Sequence, residues 1–278
     1  PKADERLSKE RSRSVSYRYT MSVDVTDEGG ETRTASKMIH LGFVSIKAQL
    51  STVTGFERQD MPTTIMALRT DLDGTPLSGE GTWSLHRLIQ PQQTPLPSQI
   101  PIPNNGTKDP YRLPDDDMPA RFEHGYQHHQ RLVASWNDSD SIQSGTLQHD
   151  QRGRARIKLG LLTAGAYRVR YTSKDAFGAT YQTDEVVIVT GPKMKLAVPA
   201  ALMVDYDVRT VGERARLFVH SGYKDQFLVL TRWRKNKVVW RRKITQSAVV
   251  EVPIEVIDRG GIGFTLTVIR DHQVVELR

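Results

Sequence analysis

One hairpin pattern occurs twice in this chain, and it commits the fold to strands. Residues 161–189, LLTAGAYRVRYTSKDAFGATYQTDEVVIV, place Tyr167, Val169 and Tyr171 in alternation with Arg168, Arg170 and Thr172, and the return arm closes on the β-branched run 186–189. A period of two in aromatic and β-branched residues predicts paired strands. The turn falls at Asp175-Ala176-Phe177-Gly178, where Asp bonds its own downstream backbone and Gly takes a positive φ. Tyr19, Asp27, Gly30 and Thr32 stand at the same spacing as Tyr167, Asp175, Gly178 and Thr180, 148 residues earlier. A repeated hairpin implies a repeated domain.

The rest of the chain carries the same grammar. Tyr17, Tyr19, Met21, Val23 and Val25 alternate with Arg18, Thr20, Ser22 and Asp24, and an isolated hairpin of this kind needs further strands to lie on. From residue 43, strands are predicted at 43–50, 63–70, 81–88, 131–136, 154–159, 166–174 and 179–189, separated by turn sequences such as Asp71-Leu72-Asp73-Gly74 and Asp150-Gln151-Arg152-Gly153. After Gly191-Pro192 a second set follows at 193–198, 214–220, 227–234, 238–244, 248–254, 262–269 and 273–277. No stretch sustains a helical period. The expectation is an all-β chain of tandem seven-stranded sandwiches of the immunoglobulin or fibronectin kind.

Those strands divide the 278 residues into a polar, disordered leader (1–14), the closing hairpin of a preceding, truncated sandwich (15–42), a sandwich (43–190) with an insertion (89–130), and a second sandwich (191–278). The chain opens on Pro1 without an apolar signal stretch and reads as an excised piece. Eight of its fourteen prolines lie between Pro91 and Pro119, which predicts extended, exposed chain with first proteolytic cuts near Asn104-Asn105-Gly106 or Tyr111-Arg112. Charge separates along the same boundary. Residues 191–278 hold 16 Lys and Arg against 9 Asp and Glu, whereas the first 190 hold 23 of each, so the net +7 belongs to the last sandwich.

Catalytic chemistry finds little footing. With no cysteine, the chain has no disulfide, thiolate metal site or Cys nucleophile, and no run of about 18 apolar residues predicts a membrane-spanning helix. Gly-x-Ser-x-Gly, Walker-type and dinucleotide-binding signatures are missing; Gly260-Gly261-Ile262-Gly263 leads into a strand rather than a helix. His124, His128 and His129 cluster in EHGYQHH, but proline-rich flanks offer no helical face to aim an i, i+4 pair at zinc, so they read as solvated loop histidines. Asp115-Asp116-Asp117 and Asn137-Asp138-Ser139-Asp140 read as Asx-rich turns, because Ile142 and Gln143 stand where a calcium loop wants its glycine and further oxygen ligands. The expectation is a non-enzyme without cofactor or metal.

The strongest binding signal is RWRKNKVVWRRK at 232–243. Its candidate contact residues are Arg232, Trp233, Arg234, Lys235, Lys237, Trp240, Arg241 and Arg242. Cations interleaved with stacking aromatics suit nucleic acid. On a hairpin, however, alternation sets Trp233 opposite Arg232 and Arg234, which predicts a packed ring and a solvated basic face that protects an edge. Nucleic acid is therefore not the expected partner, and a docking face for an acidic partner or an anionic surface is the further possibility.

Several of these segments together carry a family likeness. The run 19–39, DLDGTPLSGEGTWSLHRL at 71–88, AGAYRVRYTSKDAFG at 164–178, VGERARLFVHSGYKDQFLVLTRW at 211–233 and IDRGGIGFTLTVIRD at 257–271 resemble the bacterial alpha-2-macroglobulin family. The resemblance implies macroglobulin-like sandwiches that act as scaffold in a protease-trapping inhibitor. It also implies a periplasmic or extracellular setting, with proteases and other domains of the same polypeptide as partners. The family's Cys–Gln thioester has no counterpart in a chain without cysteine.

Overall fold

The computed structural model describes residues 16–96, 128–192, 194–224, 227–270 and 272–278. Strands β1 (Ser16–Thr26) and β2 (Thr32–Gly42) form an antiparallel hairpin that stands as its own two-stranded sheet. Next come β3 (Ile46–Thr52), β4 (Glu57–Arg58), β5 (Pro62–Asp71), β6 (Gly79–Ile89), a short helix α1 (His128–Ala134), β7 (Asn137–His149), β8 (Arg154–Leu161), β9 (Gly165–Lys174) and β10 (Thr180–Thr190). They make a sandwich of a five-stranded sheet in the order β4-β10-β9-β6-β7 against a three-stranded sheet β3-β5-β8.

The remaining strands are β11 (Ala201–Val204), β12 (Arg214–His220), β13 (Phe227–Arg234), β14 (Lys237–Ile244), β15 (Ala248–Pro253), β16 (Gly263–Arg270) and β17 (Gln273–Leu277). They form a second sandwich, β11-β12-β15 against β14-β13-β16-β17. The chain is all-β, in tandem sandwiches.

Alternation builds both cores. In β8, Ala155, Ile157 and Leu159 are buried while Arg154, Arg156 and Lys158 face solvent, and they pack with Leu50, Ile65, Leu85, Tyr167, Val169 and Tyr171 into the first core. Leu217, Val219, Leu228, Leu230, Leu266 and Val268 make the second. β9 departs from alternation because both its faces are covered, the inner by the core and the outer by α1 and the second sandwich.

Four hairpin turns share one construction. At Asp27, Asp71, Asp150 and Asp175 the side-chain Oδ1 accepts the N–H of the residue four further on, at 2.8–2.9 Å. The glycine three residues on (30, 74, 153, 178) takes a φ between 68° and 92°. That region suits glycine because it has no Cβ to clash with the chain. At Asp175 burial pushes the carboxyl up, but the N–H groups of Ser45, Ala179 and Phe177 outweigh it and hold the group below its usual range.

Three expectations are corrected. Residues 131–136, read as a strand, belong to α1 and its exit, and the strand β7 begins at Asn137, inside the segment taken for an Asx-rich turn. β7 is an edge strand with mostly exposed side chains, so it has no apolar alternation to display, and its register with β6 from Asn137↔Ile89 to His149↔Gly79 sets its structure. Residues 194–198 likewise form no strand; Leu196 and Val198 are buried against the first sandwich without joining a ladder.

Candidate functional site

Two places are built for more than closing a core: the seam between the sandwiches and the basic hairpin β13–β14. In the seam, Phe56, Leu88, Val133, Trp136 and Ile188 of the first sandwich meet Leu196, Val198 and Phe218. The rings of Phe56 and Phe218 lie 5.9 Å apart, tilted by 45°. Burying these side chains supplies the attraction.

Hydrogen bonds to the backbone, from backbone and side chains alike, then fix the fit. Gly55 N–H donates to Asp205 O (2.9 Å), and the Gln90 amide bridges Lys195 O (3.1 Å) and Ala197 N (3.0 Å). Tyr223 OH donates to Pro95 O (2.7 Å). A Cβ at Gly55 would come 2.1 Å from Val204 O, and one at Gly222 would come 2.3 Å from Thr94 Oγ1 across the seam and 2.5 Å from Leu196 O, so both sites exclude a side chain. His220, stacked on Phe218, donates Nε2–H to Leu196 O (2.7 Å), and burial lowers its pKa.

Helix α1 is keyed into this seam by one arginine. The Arg168 guanidinium donates to Ala134 O (2.6 Å) and Trp136 O (3.2 Å) at the end of the helix and pairs with Asp138. Arg170 continues the network to Asp138 (2.9 Å) and Asp184 (3.1 Å). His129, expected in a solvated loop, is instead a buried helical residue at the seam, because α1 forms there. His124 and Asp115-Asp116-Asp117 lie outside the described residues, as do the expected cleavage points at 104–106 and 111–112, and the side chain of His128 does too. Asp138 is an ion-pair partner within a strand. No group of three metal-ligating side chains occurs among the described residues.

The basic hairpin is sorted differently from the sequence expectation. Arg232 follows Leu228 and Leu230 on the inward face, is buried, and donates to Asp258 at 2.6 Å. It is therefore withdrawn from any contact surface. The ring packed inward is Trp240, which pairs across from Arg232 and packs on the core beside Phe264. Trp233 lies on the outer face with its Nε1–H bonded to Thr265 Oγ1 (2.8 Å).

The inversion has a local cause. Leu228 and Leu230 fix the phase of β13, and Asp258, on the short 3-10 turn at Val256–Asp258, supplies a buried carboxylate for the third inward position. A bulge then shifts the β14 register between Arg232 and Trp233. Arg234 is half-buried. Lys235, Lys237, Arg241 and Arg242 remain exposed, with Arg242 lying 4.3 Å over the Trp240 ring. They line an edge strand, where charge blocks pairing with another chain.

A cleft of 810 Å³ opens beside the seam, floored by Leu202, Val204, Leu217 and Phe264 and rimmed by Arg209 and Arg259. Arg209 is engaged with Asp205 and lies 4.3 Å over the Tyr206 ring. Sequence reasoning had no signal for the seam or this cleft, since both join segments far apart in the chain.

No protein-family model matches the chain, and no curated protein matches it. Among solved structures it is similar to trypsin-activated alpha-2-macroglobulin from Escherichia coli, at 11% identity over 95% of this chain and 21% of that one, with a TM-score of 0.32. A Salmonella alpha-2-macroglobulin reacted with methylamine gives 11% identity, 92% and 18% coverage, and a TM-score of 0.32. Murine CEACAM1b gives 11% identity, 84% and 96% coverage, and a TM-score of 0.23. The chain spans about a fifth of the length of the alpha-2-macroglobulins it matches. No helix among the described residues is long and apolar enough to cross a membrane.

Proposed function

We propose that the chain is a non-catalytic scaffold segment of a bacterial alpha-2-macroglobulin-like protease trap, working in the periplasm or outside the cell. The resemblance of its strand and turn motifs to that family supplies the activity. The observation that carries the scaffold role is the seam, where apolar burial, four hydrogen bonds and two glycines that admit no side chain hold two sandwiches in one relation. A trap needs domains that keep their positions while a protease is enclosed. In this reading residues 43–190 and 191–278 are the two modules, and proteases and neighbouring domains of the same polypeptide are the partners.

The test uses the native protein that carries this chain. After incubation with trypsin, the protease is expected to keep its activity on a small amide substrate and lose it on a protein substrate. Equal activity on both would remove the trap reading.

A second reading is a binding module that docks an anionic partner through Lys235, Lys237, Arg241 and Arg242. The exposed cation row on β14 favours it. Binding to a random oligonucleotide or anionic vesicles that persists at physiological salt, and is lost in Arg241→Glu/Arg242→Glu, would select it, since a few phosphate contacts alone weaken steeply with salt.

A further inference from the structure

The hairpin β1–β2 repeats β9–β10 in register as well as in sequence. Thr26 pairs with Thr32 as Lys174 pairs with Thr180, Tyr19 with Ile39 as Tyr167 with Val187, and Met21 with Lys37 as Val169 with Glu185. Each pair is displaced by 148 residues. The turns match too, with Glu31 N–H on Asp27 Oδ1 and Ala179 N–H on Asp175 Oδ1, both at 2.9 Å.

What differs is the cover. Val169 and Tyr171 are 0% exposed beneath β3, β5 and β8, whereas their counterparts Met21 and Val23 are 48% and 59% exposed. Alternation places Tyr17, Tyr19, Met21, Val23 and Val25 on one face of the hairpin, with Ile39 and Leu41 beside them. Apolar faces of this size on a two-stranded sheet are marginal in water and mark a contact surface.

We infer that this face docks an apolar three-stranded antiparallel sheet of the kind that β3, β5 and β8 present to β9–β10, completing a sandwich across two polypeptide segments. The inference is independent of the trap reading. A second copy of the hairpin is disfavoured as the occupant by charge. Arg33 and Lys37 lie on the docking face, where the one acidic neighbour is Glu31, 3.4 Å from Arg33, so stacking two copies gathers four cations against two anions.

The probe is the same chain with residues 165–190 deleted, which uncovers its β3–β5–β8 face. Mixed with the wild-type chain, it is expected to form a 1:1 complex at roughly 10 μM, and Val23→Asp/Ile39→Asp in the wild-type partner should abolish it. Should the shortened chain aggregate alone, its recovery into a soluble complex by wild-type but not by the variant reads the same way. In the wild-type chain by itself, Val23→Asp/Ile39→Asp is expected to leave the melting temperature within about 1 °C, while Tyr171→Asp at the repeated, fully buried position lowers it sharply. Three results would overturn the proposal: no association at about 100 μM, a melting temperature lowered by Val23→Asp/Ile39→Asp, or a wild-type dimer dissolved by that same pair.

Discussion

At the residue scale, buried charges give the sharpest tests. Glu185 sits on the core-facing side of β10 in line with Val187 and Val189, and desolvation pushes its carboxyl up to about 7. A raised carboxyl pKa favours the neutral form in the fold. Its contribution is therefore whole below the unfolded value near 4.5 and disappears as pH rises toward 7. Glu185→Gln is expected to raise stability at pH 8 by roughly 1–2 kcal/mol, allowing for solvent screening, and to leave pH 4 unchanged. Denaturant melts at both pH values check this, and an equal effect at both would refute it.

Arg232 and Asp258 make the second residue test. Arg232→Met leaves a buried carboxylate alone and is expected to cost about 3–5 kcal/mol, whereas Arg232→Met with Asp258→Asn recovers most of that loss. If the double variant is as unstable as the single, the pairing is not what keeps the two charges inside.

At the element scale, one turn construction occurs in unlike surroundings. Asp175→Ala removes the acceptor for Phe177, Ala179 and Ser45 N–H groups at a part-buried site and is expected to cost about 2–3 kcal/mol. Asp27→Ala, at the exposed repeat, is expected to leave the calorimetric melt unmoved. The β13–β14 turn offers the opposite change. Lys235 and Asn236 both take positive φ, 46° and 60°, so Lys235→Asn/Asn236→Gly is expected to stabilise the second sandwich by about 0.5–1 kcal/mol, read from its thermal midpoint.

At the scale of the whole molecule, the seam decides whether the sandwiches melt together. Gly55→Ala drives a methyl into Val204 O, and Phe218→Asp puts a charge against Phe56. Either is expected to split a single calorimetric transition into two, with the far-ultraviolet strand signal at 25 °C unchanged. A single transition at the original temperature in both variants would mean that the seam does not couple the sandwiches.

The strand grammar is legible in the order of the residues alone: alternation, repeated Asp-x-x-Gly turns and a hairpin pattern that recurs after 148 residues, which the two registers repeat. These are local, because pleat and turn conformation follow from neighbouring residues. Which faces are covered follows instead from packing between segments far apart in the chain. β7 is a strand because β6 offers it a ladder, although Asn137 to Asp140 carry no apolar signal. Arg232 is internal because Asp258, 26 residues away, supplies its counter-charge. Residues 128–134 are helical where Val133 and Trp136 meet the second sandwich and Arg168 holds the last carbonyls. Burial is a relation between distant segments, and a one-dimensional pattern shows that a face is apolar without showing what lies against it.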